Sequence, residues 1–123
     1  MILNFGHTFG HGFEQATDYE KLLHGEAVSI GMVSACRLAV DLKMFSDVEE
    51  KRVFALLRKF ALPVSLSGLS LKISSILQAM QRDKKKVAGK VRLVLPTHLG
   101  DVLIRDDVSP VSIQKVLREM GAK

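Results

Sequence analysis

The chain contains no tryptophan, one tyrosine and one cysteine among its 123 residues. A single cysteine, Cys36, rules out an intramolecular disulfide and fits a reducing compartment, so a cytoplasmic protein is expected. Its expected role is that of a small buried apolar residue. No basic region followed by an apolar run stands behind Met1, so no secretory leader is expected. The longest apolar stretch, Ala27 to Val40, is broken by Ser29, Ser34 and Arg37. It falls short of the roughly 20 residues a membrane span requires, so it reads as a buried helix and no membrane partner is expected. Internal repeats and low-complexity tracts are missing as well.

The charge is unbalanced, at +5 with a pI near 9.6. Positive residues gather at Arg82, Lys84-Lys85-Lys86 and Lys90, with no aromatics between them on which bases could stack. Neither a zinc-finger nor an RNP-type pattern occurs, so nucleic acid is not expected as a partner. The basic run reads either as a solvated loop or as a phosphate-binding loop. The motif H-E-x-x-H is absent, which argues against a zincin-type protease, and no G-x-G-x-x-G loop offers a nucleotide site.

What is present is a 47% hydrophobic chain of a length suited to one domain. Phe5, Phe9 and Phe13 recur on one helical face, predicting a first helix from Leu3 or Asn4 to Ala16. A second, apolar nearly all round, is expected from Gly25 to Leu42 as a central helix, with Gly31, Ser34 and Ala35 allowing a neighbour close. Ser46 to Glu49 has the pattern of a capping box. Val53, Leu56, Leu57 and Phe60 then form a third helical stripe, ended before Pro63. Ile73, Ile76, Leu77 and Met80 give a fourth, ending near Arg82. Val91 to Leu95 and Asp101 to Ile104 are expected to pair as strands joined through Pro96 to Gly100. Ser109-Pro110 opens a last helix carrying Ile113, Val116, Leu117 and Met120. The predicted class is mainly α, a bundle-like domain with a small β-hairpin near the C-terminus.

Three of the four histidines, His7, His11 and His24, fall in the first 24 residues. His7 and His11 lie one helical turn apart on one face, so two imidazoles could converge on a cation or an anion. Glycines flank each of them: Gly6, Gly10, Gly12 and Gly25. A histidine pair at this spacing is as often an ordinary core or surface feature as a metal site; a third histidine raises the odds. His24 is expected at the start of the second helix. Glu26 reads as a first-turn carboxylate stabilising that helix, and Glu14 as a solvated surface residue, with the orienting of a histidine as its alternative. His98 is expected in the hairpin connection, without a function.

The run Leu3-Asn4-Phe5-Gly6-His7-Thr8-Phe9-Gly10-His11, followed by Leu23-His24-Gly25-Glu26-Ala27-Val28 and Ile30-Gly31-Met32, resembles the C-terminal half of 3-dehydroquinate synthases. The likeness continues through Arg82-Asp83-Lys84-Lys85, Gly89 and Leu93-Val94-Leu95-Pro96. It implies a lyase of aromatic amino acid biosynthesis, converting the seven-carbon keto-acid phosphate DAHP to 3-dehydroquinate with loss of phosphate. It also implies zinc or cobalt held by His7 and His24, and NAD as a transient oxidant. By the same resemblance Asn4, His11 and Lys84 contact substrate, His11 as a catalytic residue near the phosphate, with Lys85 as an alternative register for Lys84. The family's third metal ligand and its NAD site belong to a preceding domain that residues 1–123 do not contain, so a fragment without stand-alone activity is expected. The complete enzyme could be a homodimer. A fragment of another sugar-phosphate cyclase, or a non-catalytic helical interaction domain, remain the alternatives.

Overall fold

Gly6 adopts φ +81°, a left-handed conformation outside the helical range, and the first helix begins only after it. The computed structural model describes residues 5–18, 20–86 and 91–123, with 83–86 as backbone only. Its elements run α1 (His7–Ala16), α2 (His24–Asp41), α3 (Asp47–Lys59), α4 (Ile73–Lys86), β1 (Leu93–His98), β2 (Asp101–Arg105) and α5 (Pro110–Glu119). This is the expected mainly α architecture with one antiparallel hairpin near the C-terminus.

α2 is the central element: α1, α3, α5 and β1 all pack on it. Ala27, Ile30, Leu38 and Ala39 are wholly buried, as a helix apolar nearly all round requires. Phe9 and Phe13 turn the apolar face of α1 into the same core, with ring centroids 6.2 Å apart. α4 covers the other side of α1, where Met80 and Ile76 lie against Gly12. Leu93 and Leu95 close the core from β1, and Ile113, Val116, Leu117 and Met120 from α5. Cys36 is buried among them. Burial, with the Glu50 charge adding to it, pushes its thiol up to about 12, so it serves as a small apolar side chain rather than a nucleophile. Arg37 reaches Glu50 of α3 at 3.2 Å and Glu119 of α5 at 3.8 Å, tying three helices together across the edge of the core.

Ser46 caps α3 as the sequence predicts, but the reciprocal half of the capping box is replaced: the Glu49 carboxylate takes the Ser46 hydroxyl rather than its backbone N–H. Ser46 Oγ accepts from the Glu49 N–H at 3.1 Å and donates to Glu49 Oε1 at 3.0 Å. Glu49 Oε2 also accepts from the Leu99 N–H at 2.8 Å, which pins the hairpin tip to α3 and holds this carboxyl below its ordinary range. Ser46→Ala removes the cap and should cost about 1 kcal/mol. Urea unfolding monitored by circular dichroism measures it, and an unchanged midpoint would show the cap to be idle.

Four expectations need correction. α4 does not end near Arg82 but continues to Lys86, so Asp83-Lys84-Lys85 is a helical turn and not a loop. Neither Gly nor Pro interrupts the sequence before Gly89, and Lys and Arg are good helix formers. Second, β1 extends through Pro96 to His98, leaving Leu99-Gly100 as the connection. Proline is tolerated because a two-stranded sheet has only edge strands, and the pairing is irregular between Pro96 and His98. Third, α1 starts at His7 rather than at Leu3 or Asn4; residues 1–4 lie outside the described part. Fourth, of the α3 stripe only Leu57 is buried, while Leu56 and Phe60 face solvent at 56% and 68% exposure. α3 packs mainly on α2, and a helix at the margin of a bundle has too few neighbours to cover a wide stripe.

Candidate metal centre

α1 sets His7 at its first position and His11 one turn further on; α2 begins with His24. The two helices touch backbone to backbone. A Cβ on Gly31 would collide with the Gly6 carbonyl oxygen and stand 2.8 Å from the Gly10 nitrogen. One on Gly10 would lie 3.0 Å from the Ala27 carbonyl oxygen. These contacts run in opposite order along the two helices, so α1 and α2 cross antiparallel and the end of α1 meets the start of α2.

The crossing brings His24 to both ends of α1's polar face. Its ring stands 5.7 Å from that of His7, centroid to centroid, tilted by 43°. Its Nδ1 is 3.0 Å from Oε1 of Glu14. The contact fits donation from the His24 Nδ1–H to the carboxylate, which is an acceptor only when ionised. Glu14 is buried, at 7% exposure, whereas the His24 side chain is 66% exposed. The expectation that Glu14 is a solvated surface residue is therefore corrected. A carboxylate is rarely buried unless paired, and the imidazole N–H is its partner.

His7 Nδ1 is buried without a hydrogen-bond partner among the described residues. A polar atom in that state costs stability unless something else satisfies it. Two neighbouring imidazoles, one backed by a carboxylate, suit zinc or cobalt as a donor set. Among the described residues no group of three or more His, Cys, Asp or Glu side chains is placed to hold a metal ion.

His11 is one turn beyond His7 and pairs differently: its Nε2 is 3.2 Å from Nε2 of Gln15, one further turn along α1. Glu26 does what its position predicts, its Oε1 accepting from the Leu23 N–H at 2.9 Å at the start of α2. Asn4 lies outside the described residues, as do the side chains of Lys84 and Lys85. The structure thus joins His7 to His24 and gives His11 its own partner. Gln15 was not singled out from the sequence; its spacing of four from His11 was the available signal.

The 3-dehydroquinate synthase C-terminal family matches residues 1–86. A 3-dehydroquinate synthase of a Nostoc species is 47% identical over 119 residues, covering 97% of this chain and 32% of that enzyme. The 3-dehydroquinate synthase of Nostoc punctiforme is 48% identical over 120 residues, again with 97% and 32% coverage. The chain thus spans about a third of the length of the curated relatives it matches. Among solved structures, 2-epi-5-epi-valiolone synthase from Streptomyces hygroscopicus subsp. jinggangensis, with NAD+ and Zn2+ bound, superposes with TM-score 0.84 at 30% identity, over 97% of this chain and 32% of that one. A 2-deoxy-scyllo-inosose synthase complexed with carbaglucose-6-phosphate, NAD+ and Co2+ shares the fold at TM-score 0.81 and 24% identity, over 97% and 35%.

Proposed function

The chain belongs to the 3-dehydroquinate synthase family, and from that premise we propose that it carries the metal- and phosphate-holding part of an enzyme converting DAHP to 3-dehydroquinate. The observation that carries the reading is the pairing of His7 and His24, two helix-borne imidazoles 5.7 Å apart with His24 backed by Glu14. His7 and His24 would hold the divalent metal. When bound, the metal supplies Lewis-acid polarisation of a substrate oxygen, and NAD supplies a hydride acceptor. The third metal ligand and the NAD site are proposed to come from a nucleotide-binding region outside residues 1–123, in the part of the relatives that this chain does not span.

The chain's own residues bind and neutralise the substrate phosphate. His11 is the proposed catalytic group beside it, with one ring nitrogen held by Gln15. Lys84 follows Met80 by one turn of α4, and Met80 lies against Gly12, next to His11. The packing of α4 on α1 supports a shared anion site for His11 and Lys84, with Asn4 preceding α1 in the sequence. Neutralising a dianionic leaving group in a fixed geometry is where such residues lower a barrier. The proposed location is the cytoplasm; no helix among the described residues is long and apolar enough to cross a membrane.

A second reading, a related cyclase with another sugar-phosphate substrate, is supported by the 30% identical valiolone synthase fold. The test mixes the purified chain with the remaining two-thirds of the Nostoc enzyme, expressed separately, and supplies zinc, NAD and either DAHP or glucose 6-phosphate. Turnover of DAHP only on mixing, lost in His11→Ala, is expected. Turnover of glucose 6-phosphate instead would favour the second reading. A chain active alone would contradict the missing-region account, and no turnover in any mixture would favour a non-catalytic domain.

A further inference from the structure

Glu14 is the one buried carboxylate of α1, and α1's own residues do not explain its burial. Its neighbours along the helix are the core residue Phe13 and Gln15. Its side chain is 9% exposed, yet its Oε1 points to a ring that is mostly in solvent. Had Glu14 served only to solvate the helix, its place would be on the outer face. Had His24 needed only a hydrogen-bond partner, water would have supplied one. A desolvated carboxylate facing an exposed imidazole is costly unless the bond fixes something of use.

We propose that Glu14 is a positioning residue for His24: its carboxylate accepts a hydrogen bond from the Nδ1–H, which fixes the ring's tautomer and orientation and leaves the Nε2 lone pair available. An imidazole free in water can carry its proton on either nitrogen and rotates about its side-chain bonds. A carboxylate at 3.0 Å removes both freedoms at once. That Nε2 then meets a divalent metal rests on the proposed function above; the tautomer and the ring position do not. Partners of this kind raise ligand basicity and typically change metal affinity about 10- to 100-fold. Glu14 touches neither metal nor substrate in this scheme and acts only through His24.

The experiment has two arms. Nitrogen-15 NMR of the metal-free chain reports the tautomer of His24. Zinc titration against a competing chelator reports affinity for wild type, Glu14→Gln and Glu14→Ala. The wild-type ring should hold its proton on Nδ1. Glu14→Gln keeps an accepting oxygen, so the tautomer should persist and zinc binding should weaken less than about tenfold. Glu14→Ala should release the tautomer and weaken zinc binding about 10- to 100-fold, with circular dichroism confirming the fold. If that variant fails to fold, the wild-type tautomer and the glutamine variant still decide. A wild-type His24 protonated on Nε2, or a folded Glu14→Ala with unchanged tautomer and affinity, would overturn the proposal. A correct tautomer without any His24-dependent zinc binding would instead overturn the metal reading and leave the positioning by Glu14 standing.

Discussion

Gly31→Ala is expected to destabilise the chain by about 3 kcal/mol and to lower the midpoint of thermal unfolding by roughly 10 °C. The added methyl would run into the Gly6 carbonyl oxygen and sit 2.8 Å from the Gly10 nitrogen. Both are backbone atoms, so no rotamer change can make room, and α1 must lift away from α2. Since α1 carries His7 and Glu14 and α2 carries His24, the same displacement should loosen the imidazole pair and weaken zinc binding in whatever fraction stays folded.

Gly25→Ala is the matched control. A Cβ there meets nothing within 4 Å, and the residue lies in the first turn of α2. Alanine is the better helix former, so this substitution should be neutral or stabilising by up to about 1 kcal/mol. Thermal and urea unfolding of both variants would separate them widely. Unfolding free energies that agree to within about 0.5 kcal/mol would mean that the close crossing of α1 on α2 is not what sets the geometry of the site.

The difference between these two glycines also marks how far the sequence can be read. The close approach at Gly31 was legible as a small residue on a helix apolar nearly all round, but which backbone it meets, and that Gly25 beside His24 meets nothing within 4 Å, were not. The helices themselves were legible because their apolar residues repeat at helical spacing. The α5 stripe of Ile113, Val116, Leu117 and Met120 is buried as that spacing predicts. The α3 stripe has equal periodicity, yet Leu56 and Phe60 are exposed. Periodicity reports that a helix has an apolar face but not that the fold supplies a neighbour to cover it.

The region of the candidate site was legible to a similar depth. The spacing of His7, His11 and His24 and the glycines around them marked the region, and the resemblance divided their roles. The burial of Glu14 was not legible, because it depends on where α2 starts after the turn that follows α1. A carboxylate on the polar side of a short helix is usually solvated, and only the antiparallel crossing turns this one toward His24. The extension of α4 through Lys86 was masked by the charge run, which suggested a loop although lysine favours a helix.

The pairing of His7 with His24 is the claim on which the account turns, and zinc titration by calorimetry tests it most directly. Two imidazoles make an incomplete site, so the wild-type chain should bind one zinc, and far more weakly than a complete three-ligand site would. His7→Ala and His24→Ala should each weaken binding, and the double variant should bind no zinc in the range where wild type saturates. His11→Ala, which alters a neighbouring turn of the same helix, should leave the isotherm close to wild type. Tight, stoichiometric binding that survives the loss of both His7 and His24 would contradict the account.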